Sequence, residues 1–189
     1  MLSIRPLTTE RWRDFESLFG DRGACGGCWC MWFRLPRATY EARKGEPNRR
    51  GMRELVEADQ PVGVLGYLDA TPVGWCSVAP RDQYQRLRTT RMMRSPDALP
   101  VWAILCLFVG RQWRNRGYAT QLIRGAAAYA AQHGAPAVEA YPVVPLRGAI
   151  PPVFASQGLL ASYLAAGFRE VGRPSESRVV VRWYPEPGS

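Results

Sequence analysis

The stretch Leu107-Phe108-Val109-Gly110-Arg111-Gln112-Trp113-Arg114-Asn115-Arg116-Gly117-Tyr118-Ala119-Thr120 joins an apolar run to a helical pattern. Val101 to Val109 is continuously apolar and of strand length, which suits a central buried strand. Gly117 to His133 reads as a long helix. Ala119, Leu122, Ile123, Ala126 and Ala130 fall on one stripe, and Gly134 stands where a C-cap belongs. The connection carries arginines at 111, 114 and 116. The first turn of a helix leaves N–H groups unpaired at the positive end of the macrodipole, so it draws phosphate. Glycine at 117 admits an anion close to the backbone, and arginine adds charge-assisted hydrogen bonds. The stretch therefore reads as a diphosphate-binding turn, with an ordinary strand–helix connection on a basic surface as the alternative. It has neither the Gly-Lys-Ser/Thr ending of a Walker loop nor the three spaced glycines of a Rossmann fingerprint.

Working outward, Ser3 to Pro6 reads as a first strand. Thr8 or Thr9 is placed to cap an amphipathic helix reaching about Phe19. Gly20 to Arg50 is irregular, rich first in glycine and cysteine and then in the aromatics Trp29, Trp32 and Phe33. A short helix from about Arg49 to Ala58, capped by Asn48, precedes a hairpin of Val62 to Leu68 and Val73 to Ala79. Beyond the long helix, Ala137 to Val143 forms a strand. Val144 to Val153 is a proline-bearing loop, and a short helix runs roughly from Gly158 to Ala166. Phe168 to Gly172 and Arg178 to Tyr184 form a closing strand pair. The order predicts a mixed α/β (α+β) fold.

With 189 residues, 47% hydrophobic, the chain suits one domain over residues 1–189, since single cores cover about 100–200 residues. The first residues lack a signal-peptide stretch, and the longest apolar run is about half of what spans a bilayer. A cytoplasmic protein without a membrane partner is expected. The net charge is +9, and Lys44 is the only lysine. Because the arginines are scattered rather than gathered in a run, no nucleic-acid partner is expected. Five cysteines without a secretion signal argue against a disulfide framework. Cys25, Cys28 and Cys30 have spacing that could hold zinc, but a structural site needs a fourth ligand. A zinc-binding or redox-sensing module is thus the alternative, with a substrate-lining loop preferred and no metal expected.

Arg114-x-x-Gly117-x-Ala119, after a strand and before a long helix, resembles the Arg/Gln-x-x-Gly-x-Gly/Ala signature of the GNAT N-acetyltransferase superfamily. Tyr163-Leu164-Ala165-Ala166-Gly167-Phe168 is similar to that family's Tyr-x-x-x-Gly-Phe element. The resemblance implies a single-domain GNAT fold, with a mostly antiparallel central sheet whose fourth and fifth strands splay apart. It implies acetyl-CoA as co-substrate, its pantetheine arm lying in the splay against backbone groups of Leu107, Phe108 and Val109. The N–H groups from Arg114 through Asn115, Arg116, Gly117, Tyr118 and Ala119 to Thr120 would hold the diphosphate. Ser156 stands where the family often has asparagine on the cofactor arm.

Such enzymes transfer acetyl to a primary amine by direct attack in a ternary complex. The resemblance gives Tyr163 the part of general acid and Val109 N–H that of oxyanion donor. Glu139, a carboxylate in an apolar strand, is either the base or half of an ion pair. Asp82 is a weaker candidate, and His133 reads as a helix-end residue. Trp29, Trp32 and Phe33 would wall the acceptor site or belong to the core. The acceptor would be a small-molecule or protein amine, and dimers are common in the superfamily, so a homodimer is a possible state.

Overall fold

The computed structural model describes residues 1–145 and 156–186. Apolar residues at strand and helix spacing lead the chain through β1 (Ser3–Pro6), α1 (Trp12–Phe19), α2 (Arg37–Ala42) and α3 (Glu46–Glu57). Next come β2 (Val64–Leu68) and β3 (Thr71–Pro80), then β4 (Trp102–Val109), α4 (Tyr118–Gln132) and β5 (Val138–Ala140). The chain closes with α5 (Leu160–Ala165), β6 (Arg169–Ser175) and β7 (Arg178–Trp183). One seven-stranded sheet has the order β1-β2-β3-β4-β5-β7-β6. Its pairs are antiparallel except β4 with β5, which run parallel. This is the mixed, mostly antiparallel architecture expected.

Helix α4 buries its stripe of Leu122, Ile123, Ala126 and Ala130 on one face of the sheet, against Val64, Val73, Ile104, Val138 and Val181. On the opposite face, Phe15 and Phe19 of α1 and Met52 of α3 meet Leu65 and Trp75. Beside them, the turns after β3 set Tyr84, Leu87 and Met93 over Ala103, Leu105 and Val180. The sheet is therefore buried on both sides, which accounts for the near-continuous apolar runs of β3 and β4.

Local details depart from expectation. Thr8 does not cap α1; its hydroxyl accepts from Arg11 Nη1 at 3.2 Å. Helix α3 begins three residues earlier than expected, at Glu46, with Pro47 in its first turn. Asn48 thus lies inside it and donates to the Gly27 carbonyl at 3.3 Å. The short α2 carried no clear signal. Strand β5 holds only three residues, and Val143 forms isolated bridges to Leu159 and Arg178. Of the proline-bearing loop, positions 146 to 153 lie outside the described residues.

Close approach of α4 to β1 depends on Gly125, where an added Cβ would lie 2.6 Å from the Ile4 side chain. Alanine in a helix interior ordinarily gains about 1 kcal/mol over glycine. Here overpacking should reverse that sign. Gly125→Ala is expected to cost about 1–3 kcal/mol, read as a lower melting temperature; a rise would show that β1 moves aside freely.

Candidate active site

Strand β4 pairs with β3 along its whole length, but one residue is supernumerary. Ser77 lies opposite Cys106 and Val78 opposite Ile104, so Leu105 has no partner and forms a β-bulge. On the other side, β4 pairs with β5 only from Trp102 to Ile104, against Val138 to Ala140. Past the bulge the two strands part, and one edge of β4 faces an opening.

Strand alternation decides which groups face it. Gly110 N–H donates to the Val73 carbonyl at 3.0 Å, and the Phe108 carbonyl oxygen lies beside Gly74, both toward β3. Leu107 N–H turns the other way, donating to the Ser156 carbonyl at 2.8 Å. By the same two-residue period, Val109 also faces the opening. The expectation for Phe108 is thus corrected: its backbone groups point toward β3 rather than into the opening. Its side chain goes to the opposite face of the sheet, 5.5 Å from the Phe19 ring. Cys106 is half-buried on that same face.

Beyond β4 the chain makes a 3-10 turn over Arg111–Trp113, then takes positive φ at Asn115 (60°) and Gly117 (74°) before α4. The left-handed conformation is what requires glycine at 117, since an added Cβ there would meet nothing within 4 Å. No side chain caps α4, so the amides of Tyr118, Ala119 and Thr120 stand at an uncapped helix N-terminus. Arg114 donates through Nε to the Val109 carbonyl at 3.1 Å, and Arg116 stacks 5.5 Å from the Trp113 ring. Arg111, Arg114 and Arg116 are exposed. Among the described residues none of them enters an ion pair.

Tyr163 is fully buried, with its hydroxyl donating to the Gln157 carbonyl at 2.9 Å. Burial drives its pKa well above the ordinary phenol value, so it is protonated at neutral pH. Ser156 is engaged through its backbone carbonyl, which accepts from Leu107 N–H.

Glu139 lies elsewhere, on the face covered by the turns after β3. Its carboxylate accepts from Arg182 Nε at 2.8 Å, from Ser95 Oγ at 2.9 Å and from the Tyr141 hydroxyl, with Arg81 Nε at 3.6 Å. Arg182 continues the network to Asp97 at 2.7 Å. Of the two readings of Glu139, the geometry supports the ion pair: the carboxylate is fully buried and surrounded by donors. Asp82 is exposed, and His133 packs at the end of α4 with Nδ1 2.8 Å from the Tyr129 carbonyl.

The three aromatics do not share a wall. Trp29 is core, stacked on Phe19, while Phe33 is buried beside Tyr84 and Leu105. Only Trp32 is exposed, with the Arg86 guanidinium 3.7 Å above its ring and Tyr40 edge-on. The cysteines diverge too. Cys25 is exposed, Cys28 donates to the Gly23 carbonyl, and Cys30 is buried accepting Trp75 Nε1–H at 3.2 Å. A hydrogen bond from Cys106 first, then those from Trp75 and Ser77 and the nearby charge of Arg34, bring the Cys30 pKa down to about 7 against its burial. Among the described residues no group of three or more His, Cys, Asp or Glu is placed to hold a metal ion, so the zinc alternative finds no support in their placement. No helix among them is long and apolar enough to cross a membrane.

The family model described as acetyltransferase (GNAT) family matches residues 29–151. A search of curated protein sequences finds no match. Among solved structures, the PaiA N-acetyltransferase of Thermoplasma acidophilum, in complex with coenzyme A, is similar at 12% identity and TM-score 0.53, over 98% of this chain and 99% of that one. Arabidopsis thaliana NAA60 with acetyl-CoA is similar at 14% identity and TM-score 0.50, over 98% and 100%. Aminoglycoside acetyltransferase AAC(6')-Ib, with coenzyme A and kanamycin, gives 15% identity and TM-score 0.55, over 97% and 95%. At these identities the likeness is one of fold.

The buried network makes two predictions. Glu139→Gln removes the fully buried carboxylate between Arg182 and Arg81 and leaves Arg182 only its exposed partner Asp97, so it should cost about 3 kcal/mol in denaturant unfolding; unchanged stability would reinstate a role at the site. Arg182, then the Leu99 amide, hold Asp97 at about 2, below its ordinary 3.8. That contribution is present above about pH 4 and lost as pH falls through 2, so Asp97→Asn should flatten this limb of the stability–pH curve.

Proposed function

This chain belongs to the GNAT acetyltransferase family, and on that premise we propose that it moves the acetyl group of acetyl-CoA to a primary amine by direct attack in a ternary complex. The observation that carries the reading is the edge of β4 freed by the Leu105 bulge, which leads straight to the uncapped start of α4. An extended chain bearing amides fits such an edge, and a diphosphate fits such a helix end.

The residues divide the work. Leu107 and Val109 offer backbone groups to the pantetheine arm. The amides of Tyr118, Ala119 and Thr120, on the turn made by Asn115 and Gly117, hold the diphosphate, with Arg111, Arg114 and Arg116 adding charge-assisted contacts. Acetyl-CoA supplies an activated thioester carbonyl. The amine lone pair forms the new C–N bond while the C–S bond breaks. Val109 N–H faces the charge that builds on the carbonyl oxygen. Tyr163, protonated at neutral pH as any phenol is, delivers its proton to the departing sulfur. With Glu139 tied to Arg182, the amine's proton passes to water rather than to that carboxylate. The acceptor is an amine of a small molecule or a protein; AAC(6')-Ib with kanamycin, similar in fold, supports the first class.

Calorimetry tests the premise: the protein should bind acetyl-CoA, and no binding would end this reading. Gly117→Val, forced from its left-handed φ, should weaken binding at least about tenfold. Tyr163→Phe should hold affinity within a few-fold yet slow thiol release, in a screen of amines with acetyl-CoA, by about a hundredfold.

A further inference from the structure

Three successive carbonyls of this chain already occupy the opening. Ser156 accepts from Leu107 N–H at 2.8 Å, Gln157 from the Tyr163 hydroxyl at 2.9 Å, and Gly158 from Val143 N–H at 3.0 Å. Leu107 belongs to β4 and Val143 follows β5, so the tripeptide spans from one margin of the gap to the other. The Gln157 side chain is only 8% exposed and accepts from Arg178 Nη1, which also donates to the Tyr141 carbonyl at 2.7 Å. At Gly158 the fit is tight. Its φ is +82°, and an added Cβ would lie 2.8 Å from the Tyr163 ring and 3.2 Å from the Leu107 side chain.

Two of the engaged groups, Leu107 N–H and the Tyr163 hydroxyl, are ones the proposed reaction needs. A pantetheine arm is an extended chain with two amides, so it offers Leu107 what the Ser156 carbonyl offers now. Both cannot be accommodated at the same N–H, with side chains closed about Gly158. We propose that the segment 156–158 is an internal stand-in for the pantetheine arm and must leave the opening before acetyl-CoA reaches Leu107 and Tyr163. The inference rests on the function proposed above.

The segment is suited to move. Helix α5 starts only at Leu160 and has no side-chain cap, so residues 156–158 are held by these few bonds rather than by a helical ladder. The bonds lost on opening are replaced by the arm's own amides. Acetyl-CoA then binds with its intrinsic affinity reduced by the fraction of molecules that are open.

Destabilising the stand-in should therefore tighten binding, the reverse of what loss of a supporting segment would do. Gly158→Ala places a methyl at a left-handed residue and against Tyr163. The full-length variant is expected to bind coenzyme A several-fold more tightly by calorimetry, up to about tenfold. Gln157→Ala removes the tie to Arg178 and should shift affinity the same way by less. Unchanged or weaker binding in both variants, with melting curves showing them folded, overturns the proposal; if Gly158→Ala does not fold, Gln157→Ala decides it. A wild-type protein that binds while neither variant binds more tightly sinks only this inference. If the wild type shows no binding, the proposed function itself falls and this inference falls with it.

Discussion

Between Ser77 and Val78 of β3, the opposing strand carries Leu105 as an extra residue, and the opening depends on that mismatch. A bulge sends two successive side chains to the same face and sharpens the local twist. Here Leu105 and Cys106 both lie on the face away from α4. Strand β5 follows β4 for three residues and no further. Past that point Leu107 and Val109 form an edge inside the sheet, where unpaired backbone groups demand a partner. The partner in this structure is a tripeptide, and the proposed one is a cofactor arm. Both answer the same deficit.

The other half of the strands is closed by charge. Glu139, Arg182, Asp97, Ser95, Tyr141 and Arg81 tie β5 and β7 to the turns that follow β3. Burying a carboxylate and a guanidinium is tolerable only because nearly every lone pair and N–H finds a partner. The network lies where β4 and β5 are still paired, on the face opposite α4. One end of the parallel pair is thereby fixed while the other is left free to part. A carboxylate with that task is committed to Arg182, Ser95 and Tyr141, on the face of the sheet away from α4.

Much of this was legible in the sequence. The β4–α4 junction was, because an apolar run, a basic turn and a helical stripe each carry their own period. Glu139 was legible as an anomaly, but choosing between its two parts required Arg182, which is 43 positions away. Leu105 carried no signal, since a bulge is a property of two strands in register. Phe108 was misplaced for want of a simple step, as alternation along β4 already separates it from Leu107 and Val109. Trp29, Trp32 and Phe33 look like one cluster in the chain, but positive φ at Trp29 (44°) and Cys30 (61°) turns the backbone there. The three rings go to separate surroundings. Ser156 matched a position known for its side chain, whereas it is the carbonyl that is engaged.

The net charge of +9 was the least informative number, and the arginines show why. Arg34 is buried, donating to the Pro61 and Val62 carbonyls and to Gln83. Arg81 donates to the Met93 carbonyl and Tyr141, Arg124 to the Ala165 carbonyl, and Arg178 to the Tyr141 carbonyl and Gln157. These guanidiniums serve irregular backbone, which has carbonyls left over and no ladder to take them. A planar group with five fixed donors suits that task better than a lysine ammonium, and Lys44 is the only lysine in the chain. At these four positions the positive charge is therefore a by-product of stitching irregular backbone together. The arginines at 111, 114 and 116 differ, since their side chains stay exposed beside an uncapped helix start.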